Sequence, residues 1–135
     1  MELKETYELK ITTGSYDLDK LLEGGYEKGI VSLFYGPAAS GKSNFILLAA
    51  CSEAKKNKKV IFIDTEGSFS IERIKQISGD FTEIVLKNIV ILKPTSFNEQ
   101  KKIFFKLHKE MKLSENIFLI VIDSMTMLYR LELAE

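Results

Sequence analysis

The stretch 35–45, YGPAASGKSNF, contains the residues with the clearest chemical signature. Residues 36–43 match the pattern Gly-x-x-x-x-Gly-Lys-Ser/Thr between a predicted strand and a predicted helix. In this P-loop pattern, backbone N–H groups surround phosphates, the lysine contacts the β- and γ-phosphates, and the serine hydroxyl binds Mg²⁺. Kinases, GTPases and motor-like ATPases share it, so it predicts a ligand class and leaves the reaction open. The predicted nucleotide contacts are Gly36, Pro37, Ala38, Ala39, Ser40, Gly41, Lys42, Ser43 and Asn44.

Two acidic residues follow other predicted strands. Asp123 ends the apolar run IFLIVID, so it should emerge at the carboxyl edge of the sheet, where Mg²⁺ held by Ser43 would lie. Its neighbour is Ser124, which cannot act as a base, whereas Glu66 follows the run IFID at the same edge. We therefore predict that Asp123 orients the metal and that Glu66, with Lys42 as the catalytic cation, polarises an attacking water. Asp64 is expected to be structural.

The composition describes one ordered domain that covers residues 1–135. Of its 135 residues, 45% are hydrophobic and 28% are charged, and 19 basic residues balance 19 acidic ones. The zero net charge gives no global field that would attract nucleic acid. Cys51 and His108 are each the only residue of their type, which excludes a disulfide and a cysteine-based metal site within the chain. The charged N-terminus and the lack of a long apolar run lead us to expect a cytoplasmic protein.

Four apolar runs predict strands, and they are continuous rather than alternating, as strands buried on both faces require. They cover residues 29–36, 59–67, 88–94 and 116–124. Helices are predicted between them over 43–57, 70–77 and 96–113, the last with Ser96 and Glu99 as a capping box, and a short capped helix precedes them within 12–25. On the last of the three, Phe97, Gln100, Phe104, Leu107 and Met111 should face the sheet. This order predicts an α/β fold with a mainly parallel sheet between helical layers.

These motifs resemble the RecA-type recombinase ATPases and, among them, the RadB family, archaeal paralogues of the RadA recombinase. The resemblance covers residues 11–135 and rests on ITTGSYDLDKLLEGG, YGPAASGKSN, FIDTEGSFSIERI, KPTSFNEQ and IVIDSMTMLYR. It implies a three-layer RecA-type fold, ATP and Mg²⁺ as ligands, and an accessory role in homologous recombination and DNA repair with at most slow ATP hydrolysis. It also implies RadA and a Holliday-junction nuclease as partners, and DNA binding.

The resemblance also assigns single residues. Arg73 matches an arginine that packs on the adenine ring. Tyr129 and Arg130 match the YR pair that follows the magnesium-binding strand in the family, and the resemblance suggests no role for them beyond DNA or subunit contacts. The chain departs from RadA in starting close to the ATPase core and in having no Phe-x-x-Ala segment. It also ends before the loops that line the DNA channel. Filament assembly by the Phe-x-x-Ala route and strand exchange are therefore not expected.

The end of the chain gives a further expectation about the sheet. In RecA-like sheets, the strand that follows the magnesium-binding one lies between it and the P-loop strand, and the sequence stops at Glu135 before such a strand. The position of this missing strand would be an open slot in the sheet. It could be resolved in three ways: the two strands pair directly, a second chain inserts between them, or the sequence is part of a longer protein. We expect the last, and with it a marginally stable, self-associating and nearly inactive isolated chain.

Two other functions fit part of the sequence. One is a non-hydrolytic, ATP-gated interaction module, which the presence of Glu66 disfavours. The other is a KaiC-like regulatory ATPase, which shares the LDKLLEGG segment and the P-loop but is disfavoured by DTEGSFSIER and by the YR pair.

Overall fold

The structure, a computed structural model, describes residues 9–113 and 116–134. Its strands are β1 Lys10–Ile11, β2 Tyr26–Glu27, β3 Lys59–Asp64, β4 Ile89–Leu92 and β5 Ile117–Asp123. Its helices are α1 Tyr16–Leu21, α2 Lys42–Lys55, α3 Ile71–Ser78, α4 Thr82–Asn88, α5 Phe97–Leu113 and α6 Met127–Ala134, and a 3₁₀ turn, Gly79–Phe81, separates α3 from α4. No helix among these residues is long and apolar enough to cross a bilayer.

A three-stranded sheet forms the centre of the fold. Its order is β4-β3-β5, and both neighbours run parallel to β3. Three of the four predicted strands are therefore confirmed, each slightly shorter than predicted. The register pairs Asp64 with Asp123, so β3 and β5 end level at the edge predicted to carry the site.

Helices cover both faces of this sheet, which confirms the predicted α/β/α layering. Val60 and Phe62 of β3 pack against α2, α3 and α4, while Ile61 and Ile63 point to the other face and pack against α5. Successive side chains of a strand point to opposite faces, so one apolar run supplies both cores. This is why β3 has no polar position between Val60 and Ile63.

The predicted strand over 29–36 is wrong. Residues 31–36 form no ladder with any described strand, and Val31 and Tyr35 are 94% and 89% exposed. An extended segment becomes a strand only where another strand accepts and donates its backbone hydrogen bonds. Here the free edge of β5 makes no such pairing with the segment, so the two do not close up directly.

The predicted helices are found, with differences at their ends. Helix α1 ends at Leu21, before the two glycines, and α3 and α5 each begin one residue later than predicted. Helix α4 was not predicted because its seven residues merge with β4 into one apolar stretch and bury only Val85. Helix α6 and the antiparallel pair of β1 with β2 were also missed, the pair because two residues per strand are too short to show a period.

The start of α5 modifies the predicted capping box. Ser96 Oγ accepts from the Glu99 N–H at 3.2 Å as expected, but Glu99 Oε2 accepts from the N–H of Thr95 at 2.7 Å, one residue before the predicted partner. The hydrogen bonds from the backbone and hydroxyl of Thr95 lower the pKa of Glu99. The predicted apolar face is also shorter, since Gln100 and Leu107 are buried while Met111 is 52% exposed.

Candidate nucleotide-binding site

The phosphate loop ends where α2 begins. Gly41 is the N-cap residue with φ 91°, a left-handed conformation that favours glycine. No side chain caps this helix, and its first turn contains no acidic residue. The first N–H groups of an α-helix have no partner within the helix and carry its positive dipole end. The start of α2 therefore has the free donors and the electrostatics that an anion needs.

Lys42 lies across the phosphate loop. Its Nζ donates to the carbonyl oxygens of Gly36 at 2.8 Å and Pro37 at 2.7 Å, and more weakly to Ser40 Oγ at 3.4 Å. These contacts hold the ammonium group beside the loop backbone. A phosphate oxygen would compete with the carbonyls for its three protons, which suits a lysine that contacts phosphate as a point charge.

Ser43 and Asp123 form the part of the site that fits a metal ion. Ser43 Oγ donates to Asp123 Oδ2 at 2.7 Å, joining the first turn of α2 to the end of β5 across 80 residues of sequence. Both groups offer oxygen atoms, the ligand type that Mg²⁺ prefers when it also keeps waters and binds substrate phosphates. Among the described residues, no group of three or more His, Cys, Asp or Glu side chains could hold a metal ion. Magnesium would therefore need the phosphates and water to complete its coordination.

Asp64 organises the loop after β3. It is 2% exposed, and its Oδ1 accepts from the N–H groups of Glu66 at 3.3 Å and Ser68 at 3.0 Å. Its Oδ2 accepts from the Phe69 N–H at 3.1 Å. The Phe69 ring packs on Phe62 with centroids 5.2 Å apart. The Asp64 carboxylate thus fixes the backbone of residues 66–69 by hydrogen bonds, in line with the structural role predicted for it.

Thr65 and Ser124 join the loops that follow β3 and β5. Thr65 Oγ1 donates to the Ser124 carbonyl at 2.9 Å and accepts from the Ser124 N–H at 2.7 Å. Glu66 is the next residue along, and its side chain is exposed at the same edge of the sheet as Asp123. The role of Glu66 as the group that polarises water stays a prediction.

Arg73 and Asn44 were both predicted to contact nucleotide, and the structure brings them together. Arg73 Nε donates to Asn44 Oδ1 at 3.1 Å, which links the first turn of α3 to the first turn of α2. Its Nη1 donates to Gln76 Oε1 at 2.9 Å. These two acceptors hold the exposed guanidinium beside the phosphate loop.

Sequence reasoning missed three contributors to the site. Ser68 Oγ donates to Asp123 Oδ2 at 2.6 Å, Gln76 holds Arg73, and Phe34 packs between Tyr26 and Phe45 with centroids at 5.6 and 5.9 Å. Phe34 could have been identified because it precedes the P-loop in an apolar run. A single serine or glutamine in a loop or on a helix surface has no such signal.

The remaining singled-out residues lie outside this cluster of contacts. Burial raises the pKa of the Cys51 thiol, which keeps it neutral, and His108 is exposed on α5. The Tyr129 ring contacts Phe97 at 5.2 Å between centroids, and Arg130 is exposed on α6. Packing between α5 and α6 is therefore the role that the structure gives to Tyr129.

Comparison with known proteins agrees with the fold and the motifs. The Rad51 family model matches residues 4–135. The DNA repair and recombination protein RadB of Methanococcus maripaludis (strain C7) is 47% identical over 118 residues, which cover 87% of this chain and 53% of that protein. RadB of Methanobrevibacter smithii is 45% identical over 127 residues, covering 91% of this chain and 53% of that protein.

A crystal structure of the RadB recombinase is similar with a TM-score of 0.74 and 37% sequence identity, over 90% of this chain and 55% of that one. This similarity confirms the RecA-type fold and the resemblance to RadB. The chain spans about half the length of the curated relatives it matches. Because the family model covers nearly all of its residues, the chain belongs to the Rad51 family.

Proposed function

We propose that this chain binds ATP with Mg²⁺ and serves as an accessory factor in homologous recombination and DNA repair, with at most slow ATP hydrolysis. The observation that carries the proposal is the 2.7 Å hydrogen bond from Ser43 to Asp123. It joins the phosphate loop to the carboxylate at the end of β5, which supports a Mg-nucleotide site at one edge of the sheet.

In this proposal, each site residue has a separate task. The N–H groups at the start of α2 and the Lys42 ammonium bind the triphosphate, while Ser43 and Asp123 provide oxygens at the metal position. Bound Mg²⁺ would neutralise charge on the phosphates. Glu66 orients a water molecule toward the γ-phosphorus, and Arg73 packs on adenine.

The biological setting comes from the relatives and not from the site. Both curated relatives described above are named as DNA repair and recombination proteins. By similarity, we propose that the chain works in the cytoplasm with the RadA recombinase, a Holliday-junction nuclease and DNA. A pull-down with RadA tests this setting, and a KaiC-like regulatory ATPase would not be retained.

Glu66→Gln tests the hydrolytic part of the proposal. Glutamine keeps the size of the side chain and removes its basicity, so Mg-ATP affinity should stay within about twofold while cleavage is lost. Calorimetry measures the affinity, and single-turnover incubation with labelled ATP measures cleavage. Absence of ATP binding by the parent chain would refute the proposal, and equal cleavage by both proteins would assign the base to another residue.

One observation favours a second candidate, an ATP-gated interaction module without hydrolysis. Glu66 is exposed, so the described residues leave it open to bulk solvent. A general base works best when it is held within hydrogen-bond reach of the water whose proton it accepts. Tight Mg-ATP binding by the parent chain, with the labelled ATP recovered intact, would support this module.

A further inference from the structure

The Ser68 hydroxyl lies between the carboxylates that end β3 and β5. Its Oγ is 2.6 Å from Asp123 Oδ2 and 3.4 Å from Asp64 Oδ1. A serine hydroxyl has one proton to donate, and the shorter contact identifies Asp123 as its acceptor. Ser68 therefore donates to the same oxygen that accepts from Ser43.

Asp123 needs these donors because it is only 8% exposed. A carboxylate that loses water is stable in its charged form only where hydrogen bonds or a cation replace that water. Two hydroxyl donors converge on Oδ2, one from α2 and one from the loop after β3. The orientation of this carboxylate consequently depends on Ser68 as well as on Ser43.

The same serine is part of the loop that carries Glu66. Its N–H donates to Asp64 Oδ1 at 3.0 Å, beside the N–H of Glu66, which donates to the same oxygen at 3.3 Å. The backbone of Ser68 is thus fixed to the end of β3 while its hydroxyl is fixed to the end of β5. A shift of the Asp123 carboxylate would be transmitted to residues 66–69 through this side chain, whereas Thr65 joins the backbones of the two loops.

We propose that Ser68 is a positioning residue that couples the metal carboxylate Asp123 to the loop bearing Glu66. When Mg-ATP fills the site, Ser68 transfers the ordering of Asp123 to this loop. The inference rests on the proposed Mg-ATP binding and adds to it a residue that acts through Asp123 and through the loop that carries Glu66.

Three variants of the 135-residue chain test the coupling. Ser68→Ala removes the hydroxyl, and Ser68→Thr keeps it. Ser70→Ala is the matched control, because the Ser70 hydroxyl caps α3 and contacts Glu72 instead of Asp123. Ser68→Ala should reduce the Mg²⁺-dependent gain in ATP affinity about fivefold, because one of the two hydroxyl donors to Asp123 is lost while Ser43 remains. Affinity in EDTA should stay within about twofold. The other two variants should keep the parent's gain.

Hydrogen exchange of the backbone amides of residues 66–69 gives a readout that needs neither metal nor hydrolysis. Without ligand, Ser68→Ala should exchange about fivefold faster there than the parent, since the hydroxyl contact of Ser68 with the Asp123 carboxylate is lost. Ser68→Thr should match the parent. On addition of Mg-ATP, exchange should slow at 36–43 in all proteins, and at 66–69 in all except Ser68→Ala.

Two results would overturn the inference. One is equal slowing at 66–69 in parent and Ser68→Ala, and the other is an equal loss of affinity with Mg²⁺ and with EDTA, which marks a purely structural effect. If the parent chain binds no ATP, the proposed function fails instead. The ligand-free exchange at 66–69 then decides whether Ser68 holds the loop, and equal rates in parent and Ser68→Ala would refute that.

Discussion

Strand β3 and the segment 29–36 are similar apolar runs with opposite fates. Val60 and Phe62 of β3 are fully buried, whereas Val31 is 94% exposed. Strand β3 has a parallel neighbour on each edge and helices on both faces, while residues 31–36 have no strand partner among the described residues. Hydrophobic composition therefore shows which segments can enter a sheet. Only those that find another strand edge with free backbone hydrogen-bonding groups become strands.

The candidate site lies at the junction of these two regions. Asp64 and Asp123, at the ends of buried strands, are fixed by the paired sheet. The phosphate loop follows the exposed segment and depends on α2, through the contact between Ser43 and Asp123 and the packing of Phe45 on Phe34. The half of the candidate site at the strand ends should accordingly be the more rigid one.

Phe62→Ala should have the largest effect on stability. The side chain is fully buried between β4, β5 and the helices of one face, and removing a buried Phe leaves a cavity that costs about 3–5 kcal/mol. Urea denaturation followed by circular dichroism measures the loss. A cost below about 1 kcal/mol would show that this core is loosely packed and would remove the contrast with the exposed segment.

Lys42→Ala should weaken Mg-ATP binding at least about 30-fold and leave the fold intact. The ammonium is held by carbonyls of the exposed loop and contributes little to either core, so its loss removes a charged contact worth about 2 kcal/mol or more, roughly 30-fold in affinity. Calorimetry measures the binding. Lys109→Ala, which removes an exposed lysine from α5, is the control, and equal affinities of Lys42→Ala and the parent would refute the phosphate site.

Arg73→Ala should weaken ATP binding by about 0.5–2 kcal/mol if the guanidinium packs on adenine. Inorganic triphosphate, which has no base, should lose almost nothing. Lys75→Ala removes an exposed positive charge two residues away on the same helix and should affect neither ligand. Equal losses for ATP and triphosphate in Arg73→Ala would instead indicate a contact with the phosphates.

The sequence predicted the parts of the fold that depend on long or strongly patterned segments. Strands β3, β4 and β5 and helices α2, α3 and α5 follow from apolar runs, spacing and caps. The P-loop with Asp123 follows from a motif whose residues the fold brings into contact. The strand predicted over 29–36 was wrong because strand pairing depends on segments that are distant in sequence. Local composition contains no information about them.

The missed site residues have a related cause. Ser68 and Gln76 act through one hydrogen bond each, and their partners are fixed only after β3, β5 and α3 have packed. Residue type alone does not distinguish Ser68 from Ser70, two positions along the same loop, although only the first reaches Asp123. Local patterns can predict which elements form, but the pairing of side chains across them requires the tertiary structure.

Val31→Ala should have the smallest effect and completes the comparison with Phe62→Ala. Val31 is 94% exposed and has no strand partner in the part of the chain that the structure describes, so truncation removes almost no buried surface. The free energy of unfolding should change by less than about 0.5 kcal/mol. The same urea denaturation, run at low protein concentration, measures it.

The predicted self-association would make the outcome depend on concentration, since Val31, Leu33 and Tyr35 form an exposed apolar segment that a second copy could cover. A cost above about 1.5 kcal/mol that appears only at high concentration would show such pairing. The same cost at low concentration would mean that the segment is buried within the monomer and would remove the contrast with β3.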